Sequence, residues 1–188
     1  GSLGQGLSVV IGFAIAAKLQ GREFRTYVLM GDSETAEGSV WEAFQLASHY
    51  NLNNLCAIID VNRLGQRGET MLGWNVLEYE KRIQSFGWET KIIGGHNVKK
   101  ILKALKNARK SDKPFAIIAK TLKGKGVSFL ENKEGWHGKA LSREELEKAL
   151  KEIGNSENSD KLNKNSQNSL MDNCKNYKLN NTIIHTQM

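Results

Sequence analysis

Tyr27-Val28-Leu29-Met30-Gly31-Asp32-Ser33-Glu34 and Leu55-Cys56-Ala57-Ile58-Ile59-Asp60-Val61-Asn62-Arg63-Leu64 share one design. Each is a short apolar run, partly β-branched, that breaks off into acidic and polar residues, as a buried strand does where it enters a loop. Asp32 and Asn62 stand thirty positions apart. Parallel neighbours need a connection of about a dozen residues or more, so that separation accommodates one helical crossover. Both side chains then emerge at the carboxyl edge of a parallel sheet, where α/β folds bind ligands.

The rest of the chain repeats the scheme. Further strand-like runs occur at Glu89–Ile93 and Phe115–Thr121, with helix-period segments between them. Val40, Ala43, Phe44 and Ala47 follow the spacing of one helical face, and so do Val98, Ile101, Leu102 and Leu105. Gly4–Leu19 reads as a helix packed closely through Gly12, Ala14, Ala16 and Ala17. Ser142 with Glu145 makes a capping box, and Leu141 with Leu146 a hydrophobic staple, so a last helix is expected over 143–153. Strand and helix in alternation imply an α/β fold, a mostly parallel sheet with helices on both faces. The expected domain covers 1–153. Residues 154–188 contain nine asparagines and few apolar residues before Ile183 and Ile184, and are expected to form a disordered tail.

The 188 residues include 39% hydrophobic and 25% charged residues, an ordinary globular composition. No run approaches the roughly 18 to 20 apolar residues of a membrane helix. Cys56 and Cys174 are too few for a disulfide framework and lack metal spacing, so a reducing, cytoplasmic setting is expected. Position 1 is Gly and a glycine-rich element begins at once, which reads as a piece of a longer chain. Of the net charge of +7, 23 basic and 17 acidic side chains fall in 1–153, against 4 and 3 in 154–188. Lys99, Lys100, Lys103, Lys106 and Lys110 read as a solvated helix face. With no aromatic-interleaved basic motif, no nucleic-acid partner is expected.

Asp32, Asn62 and a nearby backbone carbonyl form a hard-oxygen set suited to magnesium or calcium, with positions left for phosphate oxygens. Each residue alone also fits a plainer role, Asp as a helix N-cap and Asn as a turn support. Similarly, Lys123-Gly124-Lys125-Gly126 reads as a basic turn or an anion contact, and a lone His137 as structural or as a proton carrier. His49 and His96 read as structural.

Gly31-Asp32 followed by Asn62 resembles the thiamine-diphosphate-binding motif, and the flanking blocks narrow the resemblance. Gly1-Ser2-Leu3-Gly4-Gln5-Gly6, Glu37-Gly38-Ser39-Val40-Trp41-Glu42-Ala43, Asp60-Val61-Asn62-Arg63-Leu64-Gly65-Gln66, Phe86-Gly87-Trp88, Lys120-Thr121-Leu122-Lys123-Gly124-Lys125-Gly126 and Trp136-His137-Gly138-Lys139 are similar to animal-type transketolase, in order and spacing. The resemblance covers roughly 1–153. It implies the thiamine-diphosphate-binding fold of the family's amino-terminal domain, in a homodimer acting on sugar phosphates. The implied activity is transfer of a two-carbon ketol unit from a ketose phosphate to an aldose phosphate, in the pentose phosphate pathway.

By the same resemblance, Asp32, Asn62 and the Leu64 carbonyl are the expected metal ligands. Gly1, Ser2, Leu3, Ser33, Asn62, Lys123 and His137 are expected to line the cofactor. His137 also faces the substrate and, with Glu37, is an expected catalytic residue. Glu37 begins a helix, where it either caps or, as in the family, links the paired cofactor sites across the dimer; Trp41 and Phe44 read as core or as dimer contact. The family's sugar-handling histidines and its aminopyrimidine-activating glutamate match no residue here. Where the family's motif has Gly after the Asp, this sequence has Ser33, whose Cβ would crowd the phosphate or oppose a positive φ. That departure bears on cofactor affinity. It also keeps open a catalytically silent transketolase-like binding protein, while the Trp136-His137-Gly138 block argues against another thiamine-diphosphate enzyme.

Overall fold

The protein, represented by a computed structural model, is described over residues 3–154 and along the backbone of 181–185. Helix α1 (Gly6–Leu19) leads into β1 (Arg25–Gly31), a 3-10 turn at Asp32–Ala36 and α2 (Gly38–His49). Then come β2 (Leu55–Val61), the two-residue strands β3 (Leu64–Gly65) and β4 (Gly68–Glu69), α3 (Val76–Ser85) and β5 (Glu89–Gly94). The chain continues with α4 (Val98–Ala108), β6 (Phe115–Lys120), α5 (Arg143–Gly154) and β7 (Asn181–His185).

The main sheet runs β5-β6-β2-β1-β7, and every pairing in it is parallel. β3 and β4 form a separate antiparallel pair. All four strands expected from sequence are present within a residue or two of their predicted ends. Residues 181–185, expected to belong to a disordered tail, instead form β7; 155–180 and 186–188 lie outside the described residues.

Alternation along the strands divides the core. Val28 and Met30 of β1, Leu55, Ala57, Ile59 and Val61 of β2, and Ala116 and Ile118 of β6 face α1, α2 and α3. On the other face Cys56, Phe115, Ile117 and Ala119 meet α4 through Ala104 and Ala108. Burial of apolar surface at roughly 25 cal/mol per Å² drives both assemblies, the first being the larger.

Two helical faces differ from expectation. α4 buries Ala104 and Ala108 with Ile101 and Leu105 beside them, whereas Val98 and Leu102 are more than half exposed. The contact stripe is displaced because small alanines let the helix axis approach the sheet. In α1 the buried stripe is Leu7, Val10, Ile11, Ala14 and Ala17, while Gly12 meets open space. Helical spacing puts Val9, Gly12, Phe13 and Ala16 on the opposite side, leaving an apolar outward face. The capping box forms, with Glu145 accepting the Ser142 N–H at 2.8 Å and Ser142 accepting the Glu145 N–H at 3.2 Å, although Leu146 stays largely exposed.

Candidate functional site

The register brings the strand ends level. Gly31 pairs with Asp60, Val61 with Lys120 and Lys120 with Gly94. The residues just beyond those pairs, Asp32, Asn62, Thr121 and Gly95, therefore share the carboxyl edge.

Asp32 is 2% exposed. Its Oδ2 accepts the Arg63 backbone N–H at 2.7 Å and the Thr70 hydroxyl at 3.1 Å, tying the end of β1 to the loop after β2. Arg63 adopts φ +68°, a left-handed conformation that costs energy for a side-chain-bearing residue and directs its N–H inward. It is held there by Asn132, whose Oδ1 accepts from the Arg63 side chain at 2.9 Å. Burial pushes the Asp32 carboxyl above its ordinary range, with the Asp60 charge adding to this and the Arg63 and Thr70 hydrogen bonds opposing it. Among the described residues no ion pair neutralises it.

Asn62 is 5% exposed and its Oδ1 accepts the Leu64 N–H at 3.0 Å. The Leu64 carbonyl accepts Lys123 Nζ at 3.3 Å, and the same ammonium lies 2.9 Å from His137 Nδ1. Burial lowers the Lys123 pKa, against the charges of Asp32 and Asp60. The His137 pKa is lowered too, by burial first and by the Lys123 charge second. An ammonium can only donate, so with Lys123 protonated this contact is that of a neutral His137 whose proton is on Nε2. A cavity of about 390 Å³ is lined by Asp60, Asn62, His96, Lys123, Trp136 and His137. A second, of about 220 Å³, has Asp32, Ser33 and Thr70 in its wall.

The expected residues do not all converge. Asp32, Asn62, Leu64, Lys123 and His137 form one connected edge, whereas Gly1 and Ser2 lie outside the described residues. Leu3 is exposed. Ser33 is free of the backbone conflict expected of it: it lies in the 3-10 turn and has no positive φ, the left-handed residue being Arg63. Ser33 nevertheless lines the second cavity. Glu37 occupies the N-cap position of α2 but its side chain makes no capping bond there. It packs instead on Gly4, where φ is +72° and an added Cβ would sit 2.6 Å from Glu37 Cβ. Phe44 is core, and Trp41 packs partly buried beside it while donating to the Thr35 carbonyl at 2.8 Å.

From the sequence Glu34 and Asp60 have no assigned role, and His96 reads only as structural. Fully buried Glu34 accepts the N–H groups of Gly4 at 3.2 Å and Gly31 at 2.8 Å, fastening the glycine-rich opening to the end of β1. Asp60 accepts the Thr121 hydroxyl, and His96 Nε2 accepts the Leu122 N–H at 2.8 Å. The one available signal was positional, since Glu34 follows Asp32 by two residues and His96 follows a strand.

A parallel sheet whose carboxyl edge gathers one buried carboxylate, an amide oxygen, a backbone carbonyl and a lysine is the architecture of an α/β domain that binds a phosphate-bearing ligand. Comparison with known proteins makes this particular. Residues 1–181 match the family described as transketolase, thiamine diphosphate binding domain. Transketolase-like protein 2 of Mus musculus is 50% identical over 146 residues, 77% of this chain and 23% of that protein. Transketolase of Homo sapiens is 47% identical over 148 residues, 78% and 23% of the respective chains. The crystal structure of transketolase from Campylobacter jejuni superposes with a TM-score of 0.75 at 37% identity, over 82% of this chain and 25% of that one. The chain belongs to the transketolase family, through its thiamine-diphosphate-binding domain. It spans about a quarter of the length of these relatives.

Proposed function

We propose that residues 1–153 form the cofactor-binding part of a cytoplasmic, homodimeric transketolase that moves a two-carbon ketol group from a ketose phosphate to an aldose phosphate. The supporting observation is the fastening of Asp32 to the Arg63 N–H, which sets a buried carboxylate beside Asn62 and Leu64 at one edge. The residues fit a divalent cation. A buried carboxylate without a neutralising partner is costly, and one carboxylate, one amide oxygen and one backbone carbonyl are the hard donors magnesium or calcium takes. No cluster of three His, Cys, Asp or Glu suited to a metal exists among the described residues, so this mixed set is the candidate.

When bound, thiamine diphosphate supplies the carbanion chemistry of the transfer. Asp32, Asn62 and the Leu64 carbonyl would hold the cation, and Gly1, Ser2, Leu3, Ser33, Asn62 and Lys123 would line the cofactor. His137 lines the cavity and, neutral with its proton on Nε2, would donate to a substrate oxygen. The outward apolar face of α1 and the position of Glu37 beside Gly4 support a dimer contact there.

Calorimetric titration with thiamine diphosphate and magnesium tests the reading. Binding should require the metal and be lost in Asp32→Ala; binding indifferent to either sinks it. The second reading, a silent transketolase-like protein, is favoured by Ser33 in the cavity wall. Binding that appears only in Ser33→Gly supports it.

A further inference from the structure

His96 opens the connection from β5 to α4 and lines the cavity of Lys123 and His137, yet it belongs to none of the blocks that carry the family resemblance. Its Nε2 accepts the Leu122 N–H at 2.8 Å. The backbone beside it makes the approach possible. Gly95 donates its N–H to the Lys120 carbonyl at 2.8 Å. A Cβ at Gly95 would lie 2.4 Å from Thr121 Cγ2 and 3.2 Å from the Lys120 carbonyl oxygen, so only a residue without a side chain lets the two connections run this close.

The next residue after Leu122 is Lys123, whose Nζ reaches the Leu64 carbonyl and His137. Its carbonyl is fixed independently, accepting the Asn132 N–H at 2.8 Å. Upstream, Thr121 is anchored to Asp60 through its hydroxyl and to Trp74 through its carbonyl, at 3.1 Å for the latter. Leu122 is thus the one link between two anchored points, and His96 is what holds it.

We propose that His96 is a positioning residue: by accepting the Leu122 N–H it fixes the backbone on the amino side of Lys123 and so aims that ammonium at the edge where a diphosphate binds. The ligand rests on the transketolase reading above; the latch rests on geometry alone. An acceptor Nε2 requires the neutral ring with its proton on Nδ1.

Two measurements separate latch from ligand: ring ¹⁵N shifts of His96 and hydrogen exchange at the Leu122 amide in the ligand-free chain, and calorimetric titration with thiamine diphosphate plus magnesium. The His96 ring should be the Nδ1–H tautomer. Loss of one net hydrogen bond changes an opening equilibrium by a factor of about five, so His96→Phe should speed Leu122 exchange about fivefold and weaken cofactor binding comparably. Exchange in β2 should not change. His96→Gln, whose amide oxygen also accepts an N–H, should restore both readouts, and Gly95→Ala should reproduce the Phe variant with His96 intact. A proton on Nε2, or Leu122 exchange indifferent to His96→Phe, overturns the latch. Faster exchange with unchanged affinity overturns the positioning role. If the unaltered chain binds no thiamine diphosphate, the cofactor reading falls and takes the aim of Lys123 with it, while the exchange result still decides the latch.

Discussion

At the scale of single residues, the site is a set of groups whose charges are set against their surroundings. His137 shows the consequence for pH. Its pKa is lowered by burial and, less, by Lys123, so the folded value lies below the unfolded value of about 6.5. A base whose native pKa is depressed favours folding while neutral. That contribution is whole above the unfolded pKa and is lost as pH falls through the folded one. NMR titration of the ligand-free chain should therefore find His137 with a midpoint below 6.5. Lys123→Met should raise that midpoint only part of the way, because burial is the larger cause; a midpoint unaffected by the substitution would mean that Nζ does not sit beside Nδ1. Lys123 and His137, fourteen positions apart, were both nameable through their motifs, but their contact was not. It depends on the Asn132 bond that folds the intervening loop back.

Helices and strands show which signals survive in a sequence. Strands survive well: Leu55-Cys56-Ala57-Ile58-Ile59 is apolar on both sides because helices cover both faces of β2. Helical faces survive less well where alanine is the contact residue. Hydrophobic size ranks Val98 and Leu102 above Ala104 and Ala108, yet proximity to the sheet is what buries a residue, and the alanines are what permit proximity. The short β3–β4 pair and α3 left no clear sequence signal, the first having two residues per strand and the second only Tyr79 and Ile83 buried. The α4 geometry is testable by contrast. Ala104→Leu should overpack the contact with β5 and β6 and cost about 1–3 kcal/mol in denaturant unfolding. Leu102→Gln on the outward face should fall within about 0.5 kcal/mol of the parent. Equal effects at both positions would put the stripe back at Val98 and Leu102.

Over the whole molecule, the division of labour follows from how much one sheet edge holds. In the proposed reading the edge turns a buried carboxylate, hard oxygen donors, the Lys123 ammonium and the imidazoles of His96 and His137 toward a charged cofactor. Carbon–carbon bond exchange demands more: proton transfers at the cofactor's pyrimidine and at the sugar hydroxyls, each by a group within about 3 Å of the proton. From the family blocks Asp60, Lys123 and His137 line the cavity, and the proposed reading assigns the remaining acid–base groups to other segments or to a partner subunit. Binding and turnover should accordingly separate. The 188-residue chain loaded with thiamine diphosphate and magnesium should bind the cofactor in an Asp32-dependent way yet release no aldose phosphate from a ketose phosphate donor in a coupled assay. Turnover by the chain alone would show that the edge already contains the full acid–base set, and would move the search for those groups to Glu37, Asp60 and His96.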